Sequence, residues 1–442
     1  MKKIVSIFLY AAILSQPAMA QTSPWSFRQC CDYAVSHNIS IKQQENRCRT
    51  QELQLSTACN SRLPNLSASA SESFSFGRGL TLDNTYTNRS TSSTGFSIGT
   101  SVPLFTGFQI PNQIKLDQLN LEAATQDLEK AKNDIQMRVA QAYVQILYDM
   151  EIADVAHRQI AIDSAQVERL DAFVRNGKAS QAELSQQQAT LAQAHLTATQ
   201  ADNSLQLAVL ALTQLLELPS PEDFTIVRPS VSSTPDGFPS GLSPEAIYAE
   251  ALAMKPEIHA EQLRLSAAER SINIAKSALY PTLNLSAGLQ TNYYKTNGMA
   301  TDAFATQLKN NFAQYIGLNL NIPIFNRFQT RNNIRTARIN HENQQLQLDD
   351  VKKTLYKEIQ QVYYNAVAAQ SKYQSSEAAA QSGRDAFALV QAKYENGKAT
   401  ITEFNEAKNN YLKAESDLVQ ARYEFLYQTA LIDFYRGKTL AF

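Results

Sequence analysis

A few residue patterns in this 442-residue chain could do chemistry. Gly95-Phe96-Ser97-Ile98-Gly99 fits G-x-S-x-G, the elbow that presents an esterase nucleophile. That chemistry needs a strand, a sharp turn and then a helix. Here the motif lies inside an alternating run leading into Val102-Pro103, so Ser97 reads as a strand residue. His37, His157, His195, His259 and His341 are scattered, without the spacing of metal ligands. No glycine-rich phosphate loop occurs. The expectation is a protein that is not an enzyme, with no catalytic residue, cofactor or metal. Glu403 and Glu406, three apart, share one face of a helix, ordinarily a solvated face.

The N-terminus points to export. Lys2 and Lys3 precede the apolar run Ile4–Leu14, and Ala18-Met19-Ala20 is a small-residue cleavage site. Residues 1–20 read as a secretory signal peptide. Gln21 follows the cut, where a lipid-anchored variant would have cysteine. The formal charge is −1, and loss of Lys2 and Lys3 makes it −3, which excludes a nucleic-acid-binding face. Cys30, Cys31, Cys48 and Cys59 are expected on one helix, as free and partly buried thiols.

The elements come in two copies. Asn176-Gly177-Lys178-Ala179 recurs as Asn396-Gly397-Lys398-Ala399, and "SVPLF" at Ser101 meets "NIPIF" at Asn321, both pairs 220 apart. Further upstream the step is 217, with "LPNLSAS" at Leu63 against "YPTLNLSAG" at Tyr280. Each copy reads helix, hairpin, very long helix, tip, helix. The first repeat covers 21–218 and the second 243–442, joined by a Pro-rich link over 219–242.

The long segments step by threes and fours, as in Ile135, Val139, Ala142, Ile146 and Leu348, Val351, Leu355, Ile359. That spacing lays one apolar stripe on each helix, and the many alanines allow close approach. Pro111 to Asn176 has no internal proline or glycine, which predicts a helix of roughly 100 Å at ~1.5 Å per residue. Such a helix builds a rod or a tube. Glycine and asparagine at its end suit a left-handed cap.

The hairpins alternate. Leu66, Ala68 and Ala70 stand against serines; Leu283, Leu285, Ala287 and Leu289 against Asn284, Ser286 and Gly288. Ile316, Leu318, Leu320, Ile322 and Ile324 form a similar face. Apolar-out, small-polar-in strands are the pattern of a membrane barrel with a wet lumen. Four strands cannot enclose a channel, and open edges are not tolerated in lipid. Several chains must pool their strands.

With its duplicated plan, its Val-Pro-Leu-Phe and Ile-Pro-Ile-Phe strand ends and a glycine at each tip, the chain resembles the TolC-like outer-membrane efflux proteins. The resemblance implies a mostly α fold with β-hairpins, in a trimer whose twelve strands form one outer-membrane barrel. The helices would continue it as a coiled-coil tunnel through the periplasm. It implies a passive exit duct in a tripartite system, with a periplasmic adaptor and an inner-membrane transporter as partners. Asn176, Gly177, Lys178, Asn396, Gly397 and Lys398 would be the adaptor-docking tips. Glu403, Glu406, Glu183 and Tyr394 would form the periplasmic constriction. One departure stands out: the arginine expected two residues after the second tip glycine is Ala399, for which Lys398 or Lys178 would have to substitute. The alternative is a periplasmic coiled-coil scaffold that does not conduct, which would stay soluble on membrane fractionation.

Overall fold

The computed structural model describes residues 24–80, 84–229 and 242–440. The signal peptide lies outside the described residues, as does 230–241 of the Pro-rich link. The elements run α1 (Phe27–His37), α2 (Ile39–Asn60), β1 (Asn65–Leu80), β2 (Tyr86–Thr106), α3 (Gln109–Arg175) and α4 (Gln181–Leu215). The second copy runs α5 (Pro244–Met254), α6 (Pro256–Ser277), β3 (Thr282–Thr296), α7 (Phe304–Asn310), β4 (Ala313–Asn321), α8 (Gln329–Glu395) and α9 (Ile401–Tyr435).

The duplication holds to the residue. Helices α3 and α8 are each 67 residues, and α4 and α9 each 35. Gln109 to Gln329 and Gln181 to Ile401 are steps of 220. Phe27 to Pro244 and Ile39 to Pro256 are steps of 217. The three-residue difference falls in the hairpins. The second hairpin carries the short helix α7, which has no counterpart among the described residues of the first.

Two expectations need correction. The four cysteines do not share one helix. The chain leaves helical geometry at Asn38 (φ −60°, ψ 132°), so Cys30 and Cys31 lie on α1 and Cys48 and Cys59 on α2. Asn38 makes its own stop, because its Oδ1 accepts from Ser40 N–H and so competes with helix propagation. None of the four forms a disulfide; Cys48 Sγ donates to the Ala124 carbonyl at 3.2 Å, and Cys59 is exposed. The alternating face of the last strand is also shorter than expected. β4 ends at Asn321, and Ile322 and Ile324 lie beyond it, next to Pro323. Proline cannot donate to a sheet ladder.

Among the described residues two compact units form, each from parts of both repeats: 43–80 and 84–130 with 255–353, and 24–42 with 131–229, 242–254 and 354–440. The first holds the sheet, four antiparallel strands in the order β1-β2-β3-β4. Register sorts its faces. Ala68 pairs Ile98 and Ile98 pairs Leu289, while Ser69 pairs Ser97 and Ser97 pairs Gln290. One face is therefore apolar, and the other carries serine, asparagine and glycine, with Ser69 and Ser97 bonded hydroxyl to hydroxyl at 2.7 Å. Ser97 sits mid-strand on that polar face, and β2 runs on to Thr106 with no sharp turn into a helix after the serine, which removes the esterase elbow. In the same unit Arg264 of α6 bonds Asp127 of α3 and Glu261, and Gln344 of α8 donates to Glu261.

The second unit is helical. Every stripe position named above in its helices is buried or half-buried. Ala153, Ala156, Ala198 and Ala201 form one buried cluster between α3 and α4, as small side chains allow. No described helix is long and apolar enough to cross a membrane.

Candidate functional site at the helical tips

Both long helices end in the same way. Gly177 (φ 67°) donates to the carbonyl of Val174 at 2.9 Å, and Lys178 N–H to that of Phe173 at 2.8 Å. Gly397 (φ 71°) donates to Tyr394 at 3.0 Å, and Lys398 N–H to Lys393 at 2.8 Å. This is the Schellman arrangement, in which a left-handed residue turns the chain and covers orphan carbonyls. Asn176 and Asn396 add the same side-chain bond, each at 2.7 Å, to the carbonyls of Ala172 and Ala392. A Cβ on either glycine would meet nothing within 4 Å. The requirement for glycine is thus conformational alone.

The returning helices start on matched caps. Ser180 and Thr400 accept from the N–H of Glu183 and Glu403, whose carboxylates accept in turn from Ser180 N–H at 2.9 Å and Thr400 N–H at 2.7 Å. Both are capping boxes. Two of the expected constriction acids thus already have a local task. The bonds from the Thr400 N–H and hydroxyl hold the Glu403 carboxyl below its ordinary value. Glu406 is exposed one turn on.

Tyr394 is the expected constriction residue that gathers partners. Its ring packs on Phe404 at 5.0 Å, and the guanidinium of Arg169 lies 5.1 Å from its centroid. Burial pushes its phenol up, Arg169 opposes that, and the charge of Glu183 adds to it. Arg169 also donates to the Glu395 carbonyl at 3.3 Å, tying α3 to the end of α8. The two tips therefore stand together. Lys178 and Lys398 are exposed and form no ion pair among the described residues. Within one chain the cation beside Tyr394 is Arg169, which spacing from the tip did not single out.

A second feature near the tips was not expected. Asp163 of α3 and Lys408 of α9 form an ion pair with both side chains fully buried. Gln187 of α4 donates to Asp163 at 3.1 Å and accepts from Asn405 of α9 at 3.0 Å. Asp163 Oδ2 has no partner. One sequence signal was available: Gln187 interrupts an otherwise apolar stripe of α4, between Leu184 and Leu191.

The comparisons with known proteins agree with this architecture. The family model for outer membrane efflux protein matches residues 32–217 and 247–436, one segment per repeat. The chain belongs to the outer membrane efflux protein family. It is an outer-membrane channel of the efflux class, with its helices on the periplasmic side. The membership sets aside the non-conducting scaffold. It is 23% identical to the outer membrane efflux protein BepC of Brucella suis over 401 residues, covering 88% of this chain and 80% of BepC. Protein CyaE of Bordetella pertussis is 25% identical over 66% of this chain and 61% of its own length. Among solved structures, the Vibrio cholerae outer membrane protein VceC gives a TM-score of 0.76 at 19% identity, over 94% of this chain and 97% of that one. The Campylobacter jejuni outer membrane channel CmeC gives 0.77 at 18%, over 94% and 87%.

Proposed function

We propose that three copies of this efflux protein pool their strands into one twelve-stranded barrel and act as a passive exit duct. The carrying observation is the sheet itself: four strands, apolar on one face and polar on the other, with β1 and β4 as open edges. Unpaired edges are not tolerated in lipid, so closure has to come from neighbouring chains. The matched Schellman tips, Asn176-Gly177-Lys178 and Asn396-Gly397-Lys398, are the docking points for a periplasmic adaptor that brings an inner-membrane transporter. Glu183, Tyr394, Glu403 and Glu406 line the periplasmic constriction in this reading. The repeats, 21–218 and 243–442, are its two structural halves, joined through the Pro-rich link over 219–242.

Native mass spectrometry of protein extracted from outer membranes tests the closure. Three chains are expected. A stable single chain inserted in the membrane would overturn the barrel.

A further inference from the structure

The apolar face of the sheet does not end abruptly. On β3 it runs from Leu283 to Thr291. Eight steps at ~3.4 Å cover roughly 27 Å of strand, or about 21 Å of bilayer at a tilt near 40°. That is close to the ~25 Å apolar band of an outer-membrane barrel. At the next level on this face stand Glu72, Thr94 and Tyr293, then Phe74, Ser92 and Lys295. These levels lie on the side of the apolar band away from the flanking long helices, which puts them toward the outer leaflet.

A groove opens on the same face immediately below them. It measures about 480 Å³ and is lined by Ala70, Phe96, Ile98, Leu289, Thr291 and Phe312. That volume is in the range of small-ligand sites. Helix α7 caps its upper end. Thr291 Oγ1 donates to the Leu308 carbonyl at 2.6 Å, and Phe304 packs edge-on against Tyr293 at 5.1 Å. Lys309 follows Leu308, and Lys309 and Lys295 are both exposed and without an ion pair among the described residues. The acid at this rim, Glu72, is already occupied by the hydroxyls of Ser92 and Thr94.

We propose that this groove with its basic rim binds a phosphorylated glycolipid of the outer leaflet. An acyl chain lies in the groove, and the headgroup phosphate is held by Lys295 and Lys309. An apolar slot suits the chain, and charge complementarity selects the headgroup. The inference rests on the outer-membrane location but not on the trimer, because one chain supplies every residue named.

Native mass spectrometry of the detergent-extracted protein, titrated with bisphosphorylated lipid A, dephosphorylated lipid A or phosphatidylethanolamine, tests it. The native chain should hold bisphosphorylated lipid A about tenfold more tightly than either other lipid, the scale of one charge-assisted contact. Lys295→Gln with Lys309→Gln should erase that preference. Leu289→Trp, which fills the groove, should weaken all three lipids alike. Equal retention of phosphorylated and dephosphorylated lipid by the native chain would overturn the headgroup site. So would an unchanged preference in the double glutamine variant. Membrane fractionation of each variant reads insertion separately, so failure of the lipid site is distinct from failure of the barrel.

Discussion

Lys408 and Asp163, 245 positions apart in sequence, meet as an ion pair from which solvent is wholly excluded. Lysine is rarely fully buried unless paired. Removing one partner leaves an uncompensated charge, at a cost of about 3–5 kcal/mol, whereas replacing both by apolar groups is often neutral. Lys408→Met should therefore destabilise the helical unit strongly, and Asp163→Leu with Lys408→Met should recover most of the loss. Denaturant unfolding of the four proteins of this double-mutant cycle reads the coupling. Additive losses would show that the pair contributes nothing as a pair.

Gly177 and Gly397 hold a left-handed backbone that proline, fixed near −65°, cannot adopt. Gly177→Pro with Gly397→Pro should break both Schellman turns and reduce export, while the protein still reaches the outer membrane. Gly→Ala at the same positions should be milder, because the added methyl meets no neighbour. Full export by the double proline variant would separate docking from these tips.

Three copies of Glu403 and Glu406 around one axis would make a ring of six carboxylates that favours cations. A trivalent cation added on the periplasmic side should block single-channel conductance. Glu403→Ala with Glu406→Ala should abolish the block. Thr400→Val is the control, since it loosens the cap without removing a charge. If the double alanine variant is blocked as well as the native channel, these two residues form only a solvated helix face.

The cap at Thr400 should respond to acid. Thr400 holds the Glu403 carboxyl below its unfolded value, so the cap's contribution is complete above the ordinary 4.5. It is lost as pH falls through the lowered, folded value. Limited proteolysis at the second tip with an acid-active protease should speed up across that window. Glu403→Gln should flatten the dependence, and an identical pH profile in both proteins would rule the cap out as its cause.

The thiols divide by environment. Burial pushes Cys30 and Cys31 up to about 12, so both stay protonated near neutrality. Cys59 is exposed. Maleimide at neutral pH should label Cys59 quickly and leave Cys30 and Cys31 untouched until the protein unfolds. Rapid labelling of Cys30 would show that the packing of α1 is looser than described.

Much of the fold was legible because its signals are local and doubled. A three-and-four spacing marks a helix stripe wherever it lands, and alternation marks a two-faced strand. A glycine after 67 residues of helix marks its stop, and each signal recurs after 217 or 220 residues. The capping boxes, Ser180 with Glu183 and Thr400 with Glu403, are just as local, since both partners lie within one turn, yet the family resemblance assigns both glutamates only to the constriction. The break at Asn38 rests on one local bond, from the Ser40 N–H to its Oδ1, backed by a distant one from its Nδ2 to the Leu215 carbonyl, and the sequence pattern announces neither. The pairing of Arg169 with Tyr394 depends on no local pattern, and that of Asp163 with Lys408 is hinted at only by Gln187 in the stripe of α4. Each partner looks like an ordinary helix-surface charge or ring until the helices pack. For Asp163 and Lys408, exclusion of water then makes the partner obligatory.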